Sequence, residues 1–356
     1  MRSILILAAC AVLAGCAETT APLPPPQVSL LVVDSVEGTL RIIPIAAPDQ
    51  SLLVSFGAAL GPSGVAARDS LALVPLRGAD AAWVIDLRNG DVIRSIPLPK
   101  GSGATGAELV DDATGYVANP ELNSVTRVNL LTGDTLSRQV GRYPQGVAVI
   151  RGRVFVLNGN TVPCFQPTLP GQRCSLGPSW LTVLDPALNQ LQPLTSGPDS
   201  IPLPGPGNAR ESLVGPDGML YVMNRGNIAF GEGRLSIVDP VEQEEVANFG
   251  GFATYPNSMA MGADSLFVAS PKQGLLIFDL RARSVARADV PALPGGLSEV
   301  AVAPDGRVFA IDVPTCHAGD VTAVHVLRPD LSEIGTIPVG PCPIAAKVVA
   351  VPVATP

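Results

Sequence analysis

The side chains that could do chemistry in this chain are few and scattered. Glu211 and Glu299 each open a short apolar run; Arg210 precedes the first, and Asn224 and Arg225 follow it. Asn158 closes another such run, and His317, one of two histidines, sits beside Cys316. Carboxylates and amides are the oxygen ligands that hard cations prefer, so Glu211, Glu299 and nearby amides qualify by type for a divalent cation. The same groups, with Asn158, Arg210, Asn224, Arg225 and His317, suit a small polar ligand equally well. No ligand spacing singles out a metal, and loop asparagines also cap turns while exposed acids are merely solvated. The expectation is no cofactor, with a divalent cation as the open alternative.

Catalysis has less to rest on. No Gly-x-Ser-x-Gly elbow, phosphate loop or dinucleotide fingerprint occurs. No pair of residues is marked out for general acid–base work, so no catalytic residue is assigned. His325 falls in an alternating run, residues 321–327, and reads as an ordinary strand residue.

These residues must be held by many short strands. Among 356 residues there are 36 Gly and 36 Pro, yet 47% are hydrophobic, which fits apolar strands divided by turns rather than a disordered chain. The net charge of −8 comes with no cluster of Lys or Arg, so a phosphate backbone would be repelled and nucleic acid is excluded as a partner.

The strands repeat. Residues 115–136, GYVANPELNSVTRVNLLTGDTL, read as two strands, a turn between them and a closing Thr-Gly-Asp. The latter of these two strands recurs as Val84-Ile85-Asp86, Arg127-Val128-Asn129, Val183-Leu184-Asp185, Ile237-Val238-Asp239 and Ile277-Phe278-Asp279, at intervals of roughly 40–55 residues. A period near 40 with about four strands per unit is that of propeller blades. The terminal Asp or Asn of each unit is read as starting the turn that follows.

Small residues recur as well, at Gly64, Gly106 and Gly146, where the innermost strands must converge on a narrow channel. Six complete units begin near residues 61, 100, 143, 205, 254 and 294. A seventh starts near Pro341, and its missing strands are found at residues 29–34, 38–45 and 51–56. The reading is an all-β, seven-bladed propeller of four-stranded antiparallel blades, closed by N-terminal strands pairing with the C-terminal one, which leaves no exposed edge in the ring. One domain, residues 28–356, holds all of it.

The unit 115–136 resembles the repeat of the YVTN-type, quinoprotein-like bacterial propellers, with a YVTN-like strand, then NTVSVID, then a turn ending in Thr-Gly. That resemblance implies a binding or interaction module acting through the loop-bearing face, and it brings no shared catalytic motif. A lactonase-like, metal-dependent hydrolase or lyase using Glu211, Glu299, Asn224 and His317 at the channel mouth is the alternative.

Ahead of the repeats, Arg2, an apolar run and Leu13-Ala14-Gly15-Cys16 look like the leader and lipobox of bacterial lipoproteins. Residues 1–15 would be removed, leaving Cys16 lipidated, and the Pro-rich residues 16–27 would serve as a tether. Ala17 and Glu18 after the cysteine point to the outer membrane, facing the periplasm or the surface. Partners expected are therefore the membrane through Cys16 and an envelope protein or polysaccharide, with the chain monomeric.

An even set of four further cysteines in an exported chain suggests two disulfides. Spacing favours Cys164–Cys174. The propeller places Cys316 and Cys342 on one face, at the ring's closing junction, and favours Cys316–Cys342. A Cys₄ zinc site is the competing reading, though no C-x-x-C pair is present.

Overall fold

The computed structural model describes residues 25–164, 173–189, 200–227, 233–252, 254–287, 293 and 295–353. The leader, Cys16 and most of the tether lie outside them. Among the described residues, regular structure is β-strand apart from three short 3-10 helices, and no helix is long and apolar enough to cross a membrane.

Seven four-stranded antiparallel sheets form the ring. Blades are numbered here in chain order from their inner strands: Ala66–Arg68, Ala107–Leu109, Pro144–Ile150, Ala209–Val214, Ser258–Met261, Leu297–Val302 and Pro343–Val351. The last of these pairs with Gln27–Asp34, so blade 7 joins the two ends of the chain in the way the repeat count requires.

The second strands explain the continuous apolar runs of the sequence. In Gln27–Asp34, Leu30 and Val32 pack against blade 6, whereas Leu31 and Val33 pack against blade 1. Both faces of each blade are covered by a neighbour, so polar–apolar alternation disappears there. The outer strands reverse this pattern. Thr135–Gln139 of blade 2 is exposed at every position, and its hydroxyls, amide and arginine discourage edge-to-edge pairing.

The acids that end the third strands start turns, as expected. Asp239 Oδ1 accepts from the amides of Val241 and Glu242, and Asp279 Oδ1 from those of Arg281 and Ala282. Both disulfides are present, Cys164–Cys174 and Cys316–Cys342. The first staples a small hairpin, Thr161–Pro163 with Arg173–Ser175, that the sequence showed only as an insertion. The second ties a loop of blade 6 to the start of the closing inner strand.

Candidate functional site

The site is built from a fault in the strands. In blades 3, 4, 6 and 7 the pairing of inner with second strand slips by one residue, leaving Gln145, Arg210, Ser298 and Ile344 out of register. Such a bulge adds a residue to the inner strand and redirects its side chain. All four slips fall where the inner strand begins, at the end of the channel shared by the blade connections. Gln145 and Arg210 line the cavity there.

Registers also define a ring of seven residues just inside this mouth. Glu211 pairs with Met223 and Glu299 with Ile311, each one step before the end of its second strand. The same count selects Gly146, Ser258 and Ala345 in blades 3, 5 and 7. In blades 1 and 2 it selects Gly64 and Gly106. The three glycines are consecutive around the ring for a steric reason. A Cβ on Gly106 would run into the Gln145 carbonyl, and one on Gly146 into that of Arg210. Blades 1 to 4 therefore meet backbone to backbone, whereas in blades 4 and 6 the same level carries the side chains of Glu211 and Glu299.

Hydrogen bonds across the blade seams hold the polar groups in place. The Met259 amide donates to Glu211 Oε2 at 2.9 Å, and Asn257 Nδ2 donates to Glu299 Oε1 at 3.0 Å. Gln145 Nε2 donates to Asn208 Oδ1 at 2.8 Å and to the Ala209 carbonyl at 3.1 Å. Both glutamates thus use one carboxylate oxygen to fasten a seam. The channel beside them encloses about 340 Å³, within the range of small-molecule sites.

The electrostatics follow from that enclosure. Burial pushes Glu211 up to about 7, against the opposing charge of Arg210 and the bond from Met259. Burial and then the nearby Glu211 charge push Glu299 up to about 8, again opposed by Arg210. Glu108, deeper in the channel, is also raised by burial. Among the described residues, Arg210, Glu211, Glu299 and Lys347 form no ion pair with one another. Arg225 lies behind this wall, 4% exposed, donating to the Pro256 carbonyl and stacked over Tyr255. Burial and Arg210 lower its proton affinity, although a guanidinium remains charged at neutral pH.

Of the residues expected at a site, the structure gathers Arg210, Glu211 and Glu299 on the cavity wall with Arg225 behind them. It does not bring the others there. Asn158 and Asn224, 0% and 2% exposed, are turned into their own blades, where Nδ2 donates to Thr182 Oγ1 and Ser236 Oγ, each at 2.9 Å. Asn119 of blade 2 repeats the arrangement with Thr126 Oγ1 at 2.7 Å. His317 stands in an open loop with its side chain 82% exposed and only Asp320 nearby, at 3.8 Å. Its neighbour Cys316 is in a disulfide, so the two cannot act as a nucleophile pair.

Among the described residues, no group of three or more His, Cys, Asp or Glu side chains is placed to hold a metal ion. Sequence reasoning missed Gln145, Asn257 and Lys347 on the cavity wall. It also missed the surroundings of His325, whose two ring nitrogens face Glu333 at 2.7 Å and Asp312 at 3.2 Å. A polar residue placed immediately before a small one at a strand start was the available signal for Gln145.

No protein-family profile and no curated protein matches the chain. Solved structures do. A putative 6-phosphogluconolactonase from Bacteroides fragilis is 14% identical, covering 91% of this chain and 98% of its own, with a TM-score of 0.63. Hydrazine synthase from Kuenenia stuttgartiensis is 15% identical, covering 81% and 89%, with a TM-score of 0.62. Dihydro-heme d1 dehydrogenase NirN, solved in complex with DHE, is 12% identical, covering 92% and 76%, with a TM-score of 0.57. At these identities the likeness establishes the seven-bladed propeller and nothing about chemistry.

Proposed function

We propose that the chain is a non-catalytic binding module of the cell envelope, anchored by lipid on Cys16, that takes an envelope polysaccharide or protein at its channel mouth. The observation that carries this reading is the cavity itself. Arg210 and Lys347, from blades 4 and 7, line about 340 Å³ beside Glu211 and Glu299, and none of the four pairs with another. Unpaired charge in a partly desolvated wall is costly to stability, and such groups concentrate where a ligand uses them. The leader-like residues 1–16 support the envelope address, and Ala17 and Glu18 support the outer membrane.

One observation favours the hydrolase or lyase alternative. Glu211 and Glu299 are two carboxyl groups with proton affinities near neutrality, as general acids and bases need. Likeness to a putative 6-phosphogluconolactonase fits that alternative at the level of fold only. The other two members it calls on, Asn224 and His317, lie elsewhere: one is hydrogen-bonded inside blade 4, the other is out in an open loop. Binding therefore remains the better-supported function.

The test is retention of an envelope carbohydrate fraction on the immobilised full chain, beside Arg210→Met. Retention that falls at least ten-fold in the variant is expected. Equal retention by both proteins, or none by either, would overturn the reading.

A further inference from the structure

The lining of the channel is selective about what it can hold. Among the described residues it includes no aromatic side chain, so they offer a planar ligand no stacking surface. It carries three cations, Arg77, Arg210 and Lys347, and three carboxyl groups, Glu108, Glu211 and Glu299. Burial biases all three carboxyl groups toward the neutral form. With Glu211 raised to about 7 and Glu299 to about 8, the wall carries less negative than positive charge near neutrality.

The neutral carboxyl is also a versatile hydrogen-bonding group, donating through O–H and accepting through the other oxygen. Glu211 and Glu299 are fixed for such use, because bonds from Met259 and Asn257 set their orientation. Arg210 acts electrostatically on both of them. Its guanidinium presents the planar fork that matches a carboxylate. An added cation would meet Arg210 on the same wall, and it would compete with the protons that burial favours on both glutamates.

We propose that the channel mouth binds an acidic saccharide unit of the uronic-acid type, its carboxylate on Arg210 and its hydroxyls on Glu211, Glu299 and the flanking amides of Gln145 and Asn257. This rests on the binding-module reading above and names the ligand class of that site. Lys347, further along the inner strand of blade 7, adds to the field that attracts the anion.

Three sugars of one scaffold and different charge decide the matter by calorimetric titration of the full chain: D-galacturonate, D-galactose and D-galactosamine. Galacturonate is expected to bind at least ten-fold tighter than galactose, with galactosamine weakest. Arg210→Met should bring galacturonate down to the galactose level and leave galactose within about two-fold. Arg210→Lys, which keeps the charge and loses the fork, should retain part of the preference and so guards against a folding defect in the first variant.

A tighter complex with galactosamine, or equal affinity for all three, would overturn the proposal. If none of the three binds while envelope carbohydrate is still retained in an Arg210-dependent manner, the ligand class is wrong and the binding module stands. If none binds and retention ignores Arg210, both fail.

Discussion

Glu211 and Glu299 stand at one level of the channel with Ser258 between them, and blade 5 grips both. The Met259 amide holds Oε2 of Glu211, and Asn257 Nδ2 holds Oε1 of Glu299. Two carboxyl groups in one desolvated wall cannot both ionise freely, and the Glu211 charge raises the proton affinity of Glu299. The pair fastens two seams of the ring, and burial raises both of its carboxyl groups toward neutrality.

Stability should therefore fall as pH rises. Both carboxyl groups are raised from 4.5, to about 7 and about 8. Their favourable contribution is complete below pH 4.5 and is lost as pH climbs through the folded values. Arg210, Arg225 and Lys347 oppose the loss without abolishing it. The double variant Glu211→Gln/Glu299→Gln removes the titration. Urea unfolding at pH 5, 7 and 9 should show the variant gaining on the wild type by a few kcal/mol, on the order expected for shifts of this size. A difference that stays constant with pH would mean that the two carboxyl groups are solvated.

The close contact of blades 2, 3 and 4 makes a steric prediction. Gly106→Ala and Gly146→Ala each push a methyl group into the next blade's backbone carbonyl. A loss of about 1–3 kcal/mol is expected for each, as for other overpacked sites. Gly250→Ala, where a Cβ meets nothing within 4 Å, is the control and should be near neutral. Equal thermal shifts for all three would refute the account of the seams.

Asn224→Ala separates a structural role from a binding one. The amide donates to Ser236 inside the blade, so its removal should cost about 1–3 kcal/mol in stability. Affinity for whatever the channel binds should stay within about two-fold. A large loss of affinity without loss of stability would return Asn224 to the ligand set.

The two disulfides should differ in what they protect. Cys316–Cys342 joins blade 6 to the closing strand, and the variant Cys316→Ser/Cys342→Ser should lose about 2–4 kcal/mol. Cys164→Ser/Cys174→Ser unfastens only a hairpin outside the blades and should cost less. Thermal melts with and without reductant check this, since reductant should lower the wild type to the level of a variant that combines all four Cys→Ser changes.

The fold was legible because its physics repeats. A second strand buried on both faces has to be continuously apolar, and a third strand has to stop at an Asx turn, so Val128-Asn129, Val238-Asp239 and Phe278-Asp279 mark the blades without any long-range information. Closure was legible because strands without partners at the two ends amount to one blade. The channel was read only in part. Glu211 and Glu299 stood out as acids among small residues, whereas Asn158 and Asn224 were drawn to the mouth by residue type alone.

Their true partners, Thr182 and Ser236, lie 24 and 12 residues further on. That pairing depends on which way a strand-end side chain turns. The bulges at Gln145, Arg210, Ser298 and Ile344 share no residue type. They arise from how the inner strand fits the convergence of the blades, and spacing cannot reveal that.

The most direct test of the account is amide hydrogen exchange of the full chain with and without the retained envelope carbohydrate. Amides shielded by a ligand exchange more slowly, segment by segment. Channel binding predicts added protection in Ala209–Val214 and Leu297–Val302, the inner strands that carry Arg210, Glu211 and Glu299. Protection confined to outer strands such as Leu52–Ser55 and Val92–Pro97, with the inner strands unchanged, would place the site on the flank of the ring and contradict it.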